Sequence, residues 1–143
     1  DYKPRTPASM LAWFKAKEAG RFPVVGVEAE DGQLLGFASY GSFRAWPAYK
    51  YTVEHSVYVH RDHRGAGLGR LLMRALIAQA QAQDYHVLVA GIEASNAGSI
   101  ALHESLGFTQ AGIIRHAGYK FGRWLDLSFY QLILQTPAHP SED

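Results

Sequence analysis

The sequence predicts an α/β domain of the α+β type: a central mixed, mostly antiparallel sheet flanked by helices. Three observations lead there. Runs with strand character outnumber helical runs and bracket them, which is the layout of a sheet carrying helices. Asp31-Gly32 stands between two such runs and is a strong two-residue hairpin signal. Val87 to Ile92 is short and wholly apolar, as suits a strand in the middle of a sheet. The pattern does not read as a doubly wound parallel fold.

The elements follow in order. Thr6-Pro7 predicts a helix start, with Met10, Leu11, Trp13 and Phe14 on the apolar face and Gly20 as the stop. Phe22 to Glu30 and Gln33 to Tyr40 are the arms of the hairpin. Gly41 to Lys50 is a loop rich in aromatics, a kind of loop that often carries function. Tyr51 to His60 alternates as a strand, with His55 and Val53 on one face and Glu54, Ser56 and Tyr58 on the other. Leu68, Leu71, Leu72, Ala75, Leu76 and Ala80 recur at helical spacing and predict a helix over 68–83. Asn96 precedes a second helix, over 97–106, closed by Gly107. Phe108 to Tyr119 reads as a strand with glycine irregularities, Lys120 to Arg123 as a turn, and Trp124 to Leu134 as the last strand. The chain is expected to be one domain over 1–136 with a flexible tail at 137–143.

Composition narrows the function. Of 143 residues, 48% are hydrophobic, which is enough for a single core. A net charge of +1 with the signs mixed gives no electrostatic footprint for nucleic acid or an anionic membrane, so neither is expected as a partner. The chain has no cysteine, which excludes disulfides and thiolate metal sites. No apolar run approaches the roughly 20 residues that span a bilayer, and no signal peptide opens the sequence. A cytoplasmic location is expected.

The stretch from Val57 to Arg70 organises the chain. A strand ends in a basic loop, then Gly65, Gly67 and Gly69 lead into the helix at Leu68. Glycine lets backbone approach an anion, and the first N–H groups of a helix lack partners, so this is a place to hold a phosphate. It is not a nucleoside triphosphatase loop, because Gly69 is followed by Arg70 and Leu71 rather than Lys and Ser or Thr. Its glycine spacing also misses the dinucleotide fingerprint. A tight turn without ligand is the plain alternative, against which Arg61, Arg64 and Arg70 weigh, since such residues make charge-assisted contacts to a diphosphate. His55, His60 and His63 invite a metal reading. The arginines of the loop repel a cation and His55 faces the core side, so no metal is expected.

The segment Arg64-Gly65-Ala66-Gly67-Leu68-Gly69 resembles the Q/R-x-x-G-x-G/A signature of the GNAT acetyltransferase superfamily. Asn96 to Phe108, read as Asn-x-x-Ser-x-x-Leu-His-x-x-x-Gly-Phe, resembles its second signature. Thr52 to Val59, Val89 to Ile92 and Lys120 to Asp126 are similar to segments of the phosphinothricin and methionine sulfoximine N-acetyltransferase subfamily. The likeness runs from about Trp13 to Leu134. It implies acetyl-CoA as donor, a small amine as acceptor and a homodimer. The family begins with a further strand and helix, which are expected to be absent here because only a short stretch precedes Trp13.

The resemblance also assigns residues. Arg64, Gly65, Ala66, Gly67, Leu68, Gly69 and Arg70 would hold the CoA diphosphate, and Val57, Tyr58 and Val59 the pantetheine amides. Asn96, as cap, would also touch the CoA arm, with Ser99 and Ser105 near the CoA end. Glu54, mid-strand among aromatics and valines, is the candidate base, since partial desolvation favours proton acceptance. Its plain alternative is a surface glutamate paired with a neighbouring cation. His103 stands where many relatives carry a tyrosine acid. An imidazole can donate or accept a proton near neutrality, but a packed or solvated helix-face histidine is the equal alternative. Lys120, Trp124, Arg44 and Tyr49 are candidates for binding an acidic amino-acid-like acceptor. Transfer to another amine, such as a polyamine or aminoglycoside, would want an acidic pocket, and the loops here are basic. A non-catalytic acyl-CoA sensor would have no use for Glu54, Asn96 and His103 together.

Overall fold

The computed structural model describes residues 13–19, 22–65 and 67–142. These fall into two compact units. The first takes the chain up to Gly41 together with Ser56–Gln83, and the second takes Ser42–His55 together with the chain from Asp84.

In the first unit, β1 (Trp13–Ala19) pairs antiparallel with β2 (Phe22–Glu28), and β2 pairs antiparallel with β3 (Leu34–Ser42, whose last residue belongs to the second unit). Residues 13–19 are therefore not the helix that the sequence predicts; Thr6 to Leu11 and Gly20 lie outside the described residues. Helical preference in a segment such as Lys15–Ala19 amounts to tenths of a kcal/mol per residue. A continuous ladder from Trp13↔Glu28 to Ala19↔Phe22 outweighs it.

The β2–β3 hairpin also differs from expectation. Gly32 N donates to Ala29 O and Ala29 N to Gln33 O, both at 2.9 Å. The loop therefore has three residues, Glu30, Asp31 and Gly32, and Gly32 alone of them has positive φ, at 87°. Asp31 leaves the left-handed region to glycine and accepts Gln33 N on its own carboxylate at 2.9 Å.

Helix α1 (Leu68–Ala82) buries Leu68, Leu72, Met73, Leu76 and Ala80, the stripe the 3.6-residue period predicts, and packs against β2. Each of its buried leucines contributes about 1.5–3 kcal/mol. Val25, Val27, Leu35 and Ala38 supply the sheet side of this core. Gly36 is forced: a Cβ there would stand 2.6 Å from Tyr58 O and 3.0 Å from Leu72 Cδ1.

In the second unit the strands lie in the order β4-β5-β7-β6. Strand β4 (Thr52–Val59) contributes its first half, which pairs parallel with β5 (Val87–Glu93) from Thr52↔Val87 to His55↔Ala90. Antiparallel ladders join β5 to β7 (Arg123–Ile133) and β7 to β6 (Thr109–Lys120). With a strand on either side β5 has no free edge, and successive Leu88, Val89 and Ala90 are all buried, as its apolar run requires. The glycine irregularities of β6 are register shifts at Gln110/Gly112 and Ile114/Gly118. Phe121 and Gly122, with φ of 54° and 72°, turn the β6–β7 hairpin. Helix α2 (Ala97–Ser105) closes on Leu106, and Gly107 follows at φ 96°.

Candidate active site

The first unit holds the glycine-rich turn. Val57, Tyr58 and Val59 end β4, past the last described pairing with β5 at His55. Tyr58 is exposed, with its ring 5.6 Å from that of Phe37. A 3-10 turn over Arg61–His63 follows, and Arg64 Nε donates back to Val59 O at 3.3 Å. Gly65 and Gly67 have φ of 85° and 80°, which explains glycine at both. A Cβ at either would meet nothing within 4 Å, so the turn is open to a ligand. Ala66 lies outside the described residues.

Gly67 caps α1 without any side-chain hydrogen bond, and no acidic residue sits in the first helical turn. The first helical bond runs from Leu71 N to Gly67 O. The N–H groups of Leu68 and Gly69 precede it, in the first turn where helical N–H groups have no acceptor within the helix. Leu68 offers only its backbone, since its side chain is in the core. Exposed Arg61 and Arg64 add positive charge beside the positive end of the helix dipole. The turn therefore fits a diphosphate.

The second unit holds a cavity of about 330 Å³ lined by Phe43, Arg44, Val89, Ala111, Gly112, Ile114, Phe129 and Gln131. Register explains the lining. Val89 faces Gln131 across β5–β7, Gly91 faces Phe129, and Gly112 faces Phe129 across β6–β7. Glu54, paired with Val89 from β4, joins the same row. Arg44 is the cation of the wall, its guanidinium 5.3 Å from the Phe43 ring centre.

Of the residues predicted for the acceptor only Arg44 lines this cavity; Glu54, Tyr49, Lys120 and Trp124 do not. Tyr49 ends an exposed 3-10 turn over Pro47–Tyr49. Lys120 and Trp124 lie near the tip of the β6–β7 hairpin. There Lys120 sits over the Phe121 ring at 5.1 Å, and Trp124 stacks on His116 and meets Tyr119 edge-on. Conversely, Val89, Phe129 and Gln131 were not expected at the acceptor site; Phe129, expected on an exposed dimer surface, is half-buried and lines the cavity. Their signal was strand alternation, usable only once the β4–β5–β7 register is known.

Asn96 caps α2, its Oδ1 accepting Ser99 N at 3.1 Å. Ser105 Oγ donates to Leu102 O at 2.6 Å, within its own helix. His103, expected either as an acid or as a helix-face residue that packs or meets solvent, is packed and buried, at 1% exposure. Its Nδ1 lies 2.7 Å from Ser99 O and its Nε2 lies 2.9 Å from His55 Nε2. A carbonyl only accepts, so Nδ1 carries the proton. In a neutral ring Nε2 then accepts, and His55 Nε2–H donates to it. That leaves His55 Nδ1 buried without a partner. The two rings stack at 5.1 Å and both meet Phe108 edge-on.

Burial, and secondarily the charge of His103, lowers the pKa of His55 to about 3. Burial also lowers that of His103, against the opposing pull of the Ser99 carbonyl. Both rings are neutral near pH 7, and the N–H of His103 is committed to its own helix. Among the described residues no group of His, Cys, Asp and Glu could hold a metal ion, and no helix is long and apolar enough to cross a membrane.

Comparison with known proteins agrees with this architecture. The model of the acetyltransferase (GNAT) family matches residues 1–108. The L-methionine sulfoximine/L-methionine sulfone acetyltransferase of Salmonella typhimurium is 52% identical over 130 residues, covering 91% of this chain and 75% of that protein. The phosphinothricin N-acetyltransferase of Streptomyces viridochromogenes is 38% identical, covering 96% of this chain and 74% of that protein. A Salmonella typhimurium acetyltransferase structure with its cofactor acetyl-CoA superposes with a TM-score of 0.80 at 52% identity, over 85% of this chain and 68% of that one.

Proposed function

The chain belongs to the acetyltransferase (GNAT) family, and on that premise we propose that it acetylates the amino group of a small amino-acid-like acceptor from acetyl-CoA. Acceptors of the methionine sulfoximine, methionine sulfone or phosphinothricin kind fit best. The observation that carries this reading is a cation, Arg44, in the wall of an apolar cavity whose lining residue Val89 is the register partner of Glu54. Arg44 is the cation of the cavity wall, and Glu54 lies in the adjoining row of the sheet face. An amino acid presents a carboxylate to the first and an ammonium to the second. A polyamine would find a cation where it needs an anion.

The open glycines 65 and 67 and the N–H groups of Leu68 and Gly69 grip the donor's diphosphate. Val57, Tyr58 and Val59 offer a strand to the pantetheine amides. Glu54 takes one proton from the acceptor ammonium. The freed amine attacks the acetyl carbonyl, a C–N bond forms, and the C–S bond breaks with its electron pair on sulfur. The second nitrogen proton leaves as the intermediate collapses, and the thiolate gains one. Holding both substrates together replaces an enzyme nucleophile, in keeping with a chain that has no cysteine. With its N–H committed to Ser99 O, His103 acts here by holding α2 rather than as the acid.

Glu54→Gln should leave the acetyl-CoA Kd unchanged and slow turnover at least about 100-fold. Turnover near the wild-type rate would remove Glu54 from the mechanism. The same reading places the enzyme in the cytoplasm, as a homodimer. Exposed Ile113, Ile114, Tyr119 and Trp124 on β6 and β7, with Phe121 in the turn between them, favour a second copy there. Sedimentation equilibrium of wild type and Phe121→Ser should give dimer and monomer masses respectively; a monomeric wild type overturns it.

A further inference from the structure

Gly91 is unexplained by the fold. Glycine inside a strand weakens it and usually marks a bulge, a tight bend or a close approach. Here β5 runs in unbroken register with β7 through Gly91↔Phe129, so there is no bulge. Gly91 is not among the glycines of positive φ, so its backbone suits any residue. It is exposed while Ala90 and Ile92 beside it are buried, so the core does not crowd it.

What a side chain would meet is specific. A Cβ on Gly91 would stand 3.2 Å from Glu54 Oε2, 3.4 Å from Leu127 Cδ1 and 3.6 Å from Phe129 Cε1. The missing side chain thus leaves a slot about one methyl or ammonium group wide. One wall is a carboxylate, which attracts a cation, and the others, Leu127 and Phe129, are apolar. Phe129 also lines the cavity that carries Arg44.

We propose that Gly91 is a specificity-determining residue: its bare backbone keeps a slot beside Glu54 open for the amine-bearing carbon of the acceptor. The proposal rests on the reading of Glu54 as the base. A methyl group in the slot displaces the acceptor or turns the carboxylate away, and leaves the glycine turn of the donor site untouched.

The test compares wild type, Gly91→Ala, Glu54→Gln, Glu54→Asp and the double variant Gly91→Ala/Glu54→Asp, with L-methionine sulfone as acceptor. Gly91→Ala should lower kcat/KM at least tenfold, keep the acetyl-CoA Kd within twofold and leave Tm unchanged or higher, because alanine suits a strand better than glycine. Aspartate withdraws the carboxylate by one methylene, so Glu54→Asp should cost at least threefold less in the alanine background than in wild type. Gly91→Ala with kcat/KM within threefold of wild type overturns the proposal, and a slow Glu54→Gln in the same series leaves the general-base reading standing. A fast Glu54→Gln overturns both. Loss of acetyl-CoA binding or a lowered Tm in Gly91→Ala, or additive costs in the double variant, makes the glycine merely structural and also overturns the proposal.

Discussion

Acid should loosen this protein through His55. Its ring, 5% exposed, lies between His103 and Phe108, and burial holds its pKa at about 3 against 6.5 for the free side chain. His103 is the titratable group packed against it, and its pKa moves in the same direction. Between those two pH values the unfolded chain binds a proton at His55 that the folded chain refuses. The unfolded state is therefore favoured as pH falls. The stabilisation is whole above pH 6.5 and is lost progressively toward about pH 3. One proton of difference gives a slope of at most about 1.4 kcal/mol per pH unit, and integration from pH 7 to pH 5 gives about 2 kcal/mol. That is a large share of an ordinary stability of about 5–15 kcal/mol.

The control is His55→Gln, whose side-chain amide still donates to His103 Nε2 and does not titrate. Urea denaturation at pH 7 and pH 5 should show wild type losing about 2 kcal/mol more than the variant. The histidine signals of the folded protein should meanwhile show the His55 ring still neutral at pH 5. Parallel losses in the two proteins, or a His55 signal titrating near its ordinary value, would refute the reasoning.

Two further outcomes follow from contacts within one unit or one cavity. Gly36→Ala should destabilise the protein by about 1–3 kcal/mol in urea denaturation, because backbone at Tyr58 O and the Leu72 methyl both stand in the way of its Cβ. Arg44→Gln should raise KM for an amino-acid acceptor about tenfold or more while the acetyl-CoA Kd stays put, the scale of one charge-assisted pair. An unchanged KM removes Arg44 from acceptor binding.

What the sequence made legible was what local chemistry decides. The glycines of positive φ at 65 and 67, the Asn96 cap and the α1 stripe are each written within a few residues. The β1 segment was misread because its helical preference is local while its partner strand is not. The Asp31-Gly32 signal located the turn and missed its length, since Asp31 there serves as acceptor rather than as a left-handed residue. The cavity and the His55–His103 contact depend on registers and on a pair 48 residues apart, which no spacing rule contains.

That pair changes how acid inactivation should be read. Glu54 and His55 are neighbours on one strand, and alternation sends their side chains to opposite faces. Glu54 joins the row of Val89 and Gln131, and His55 is buried against α2. A rate that falls with pH is therefore read against two faces of one strand. A loss on the catalytic face lowers kcat/KM with the fold intact and reverses at once. Protonation of the histidine pair breaks the Nε2–Nε2 hydrogen bond, because both nitrogens then carry protons, and this frees α2 with its Asn96 cap. His55→Gln separates them: it removes the second loss and leaves the first. If the acid limb of kcat/KM in His55→Gln coincides with that of wild type while stability at pH 5 rises relative to it, the histidines serve the fold and take no part in the catalytic step.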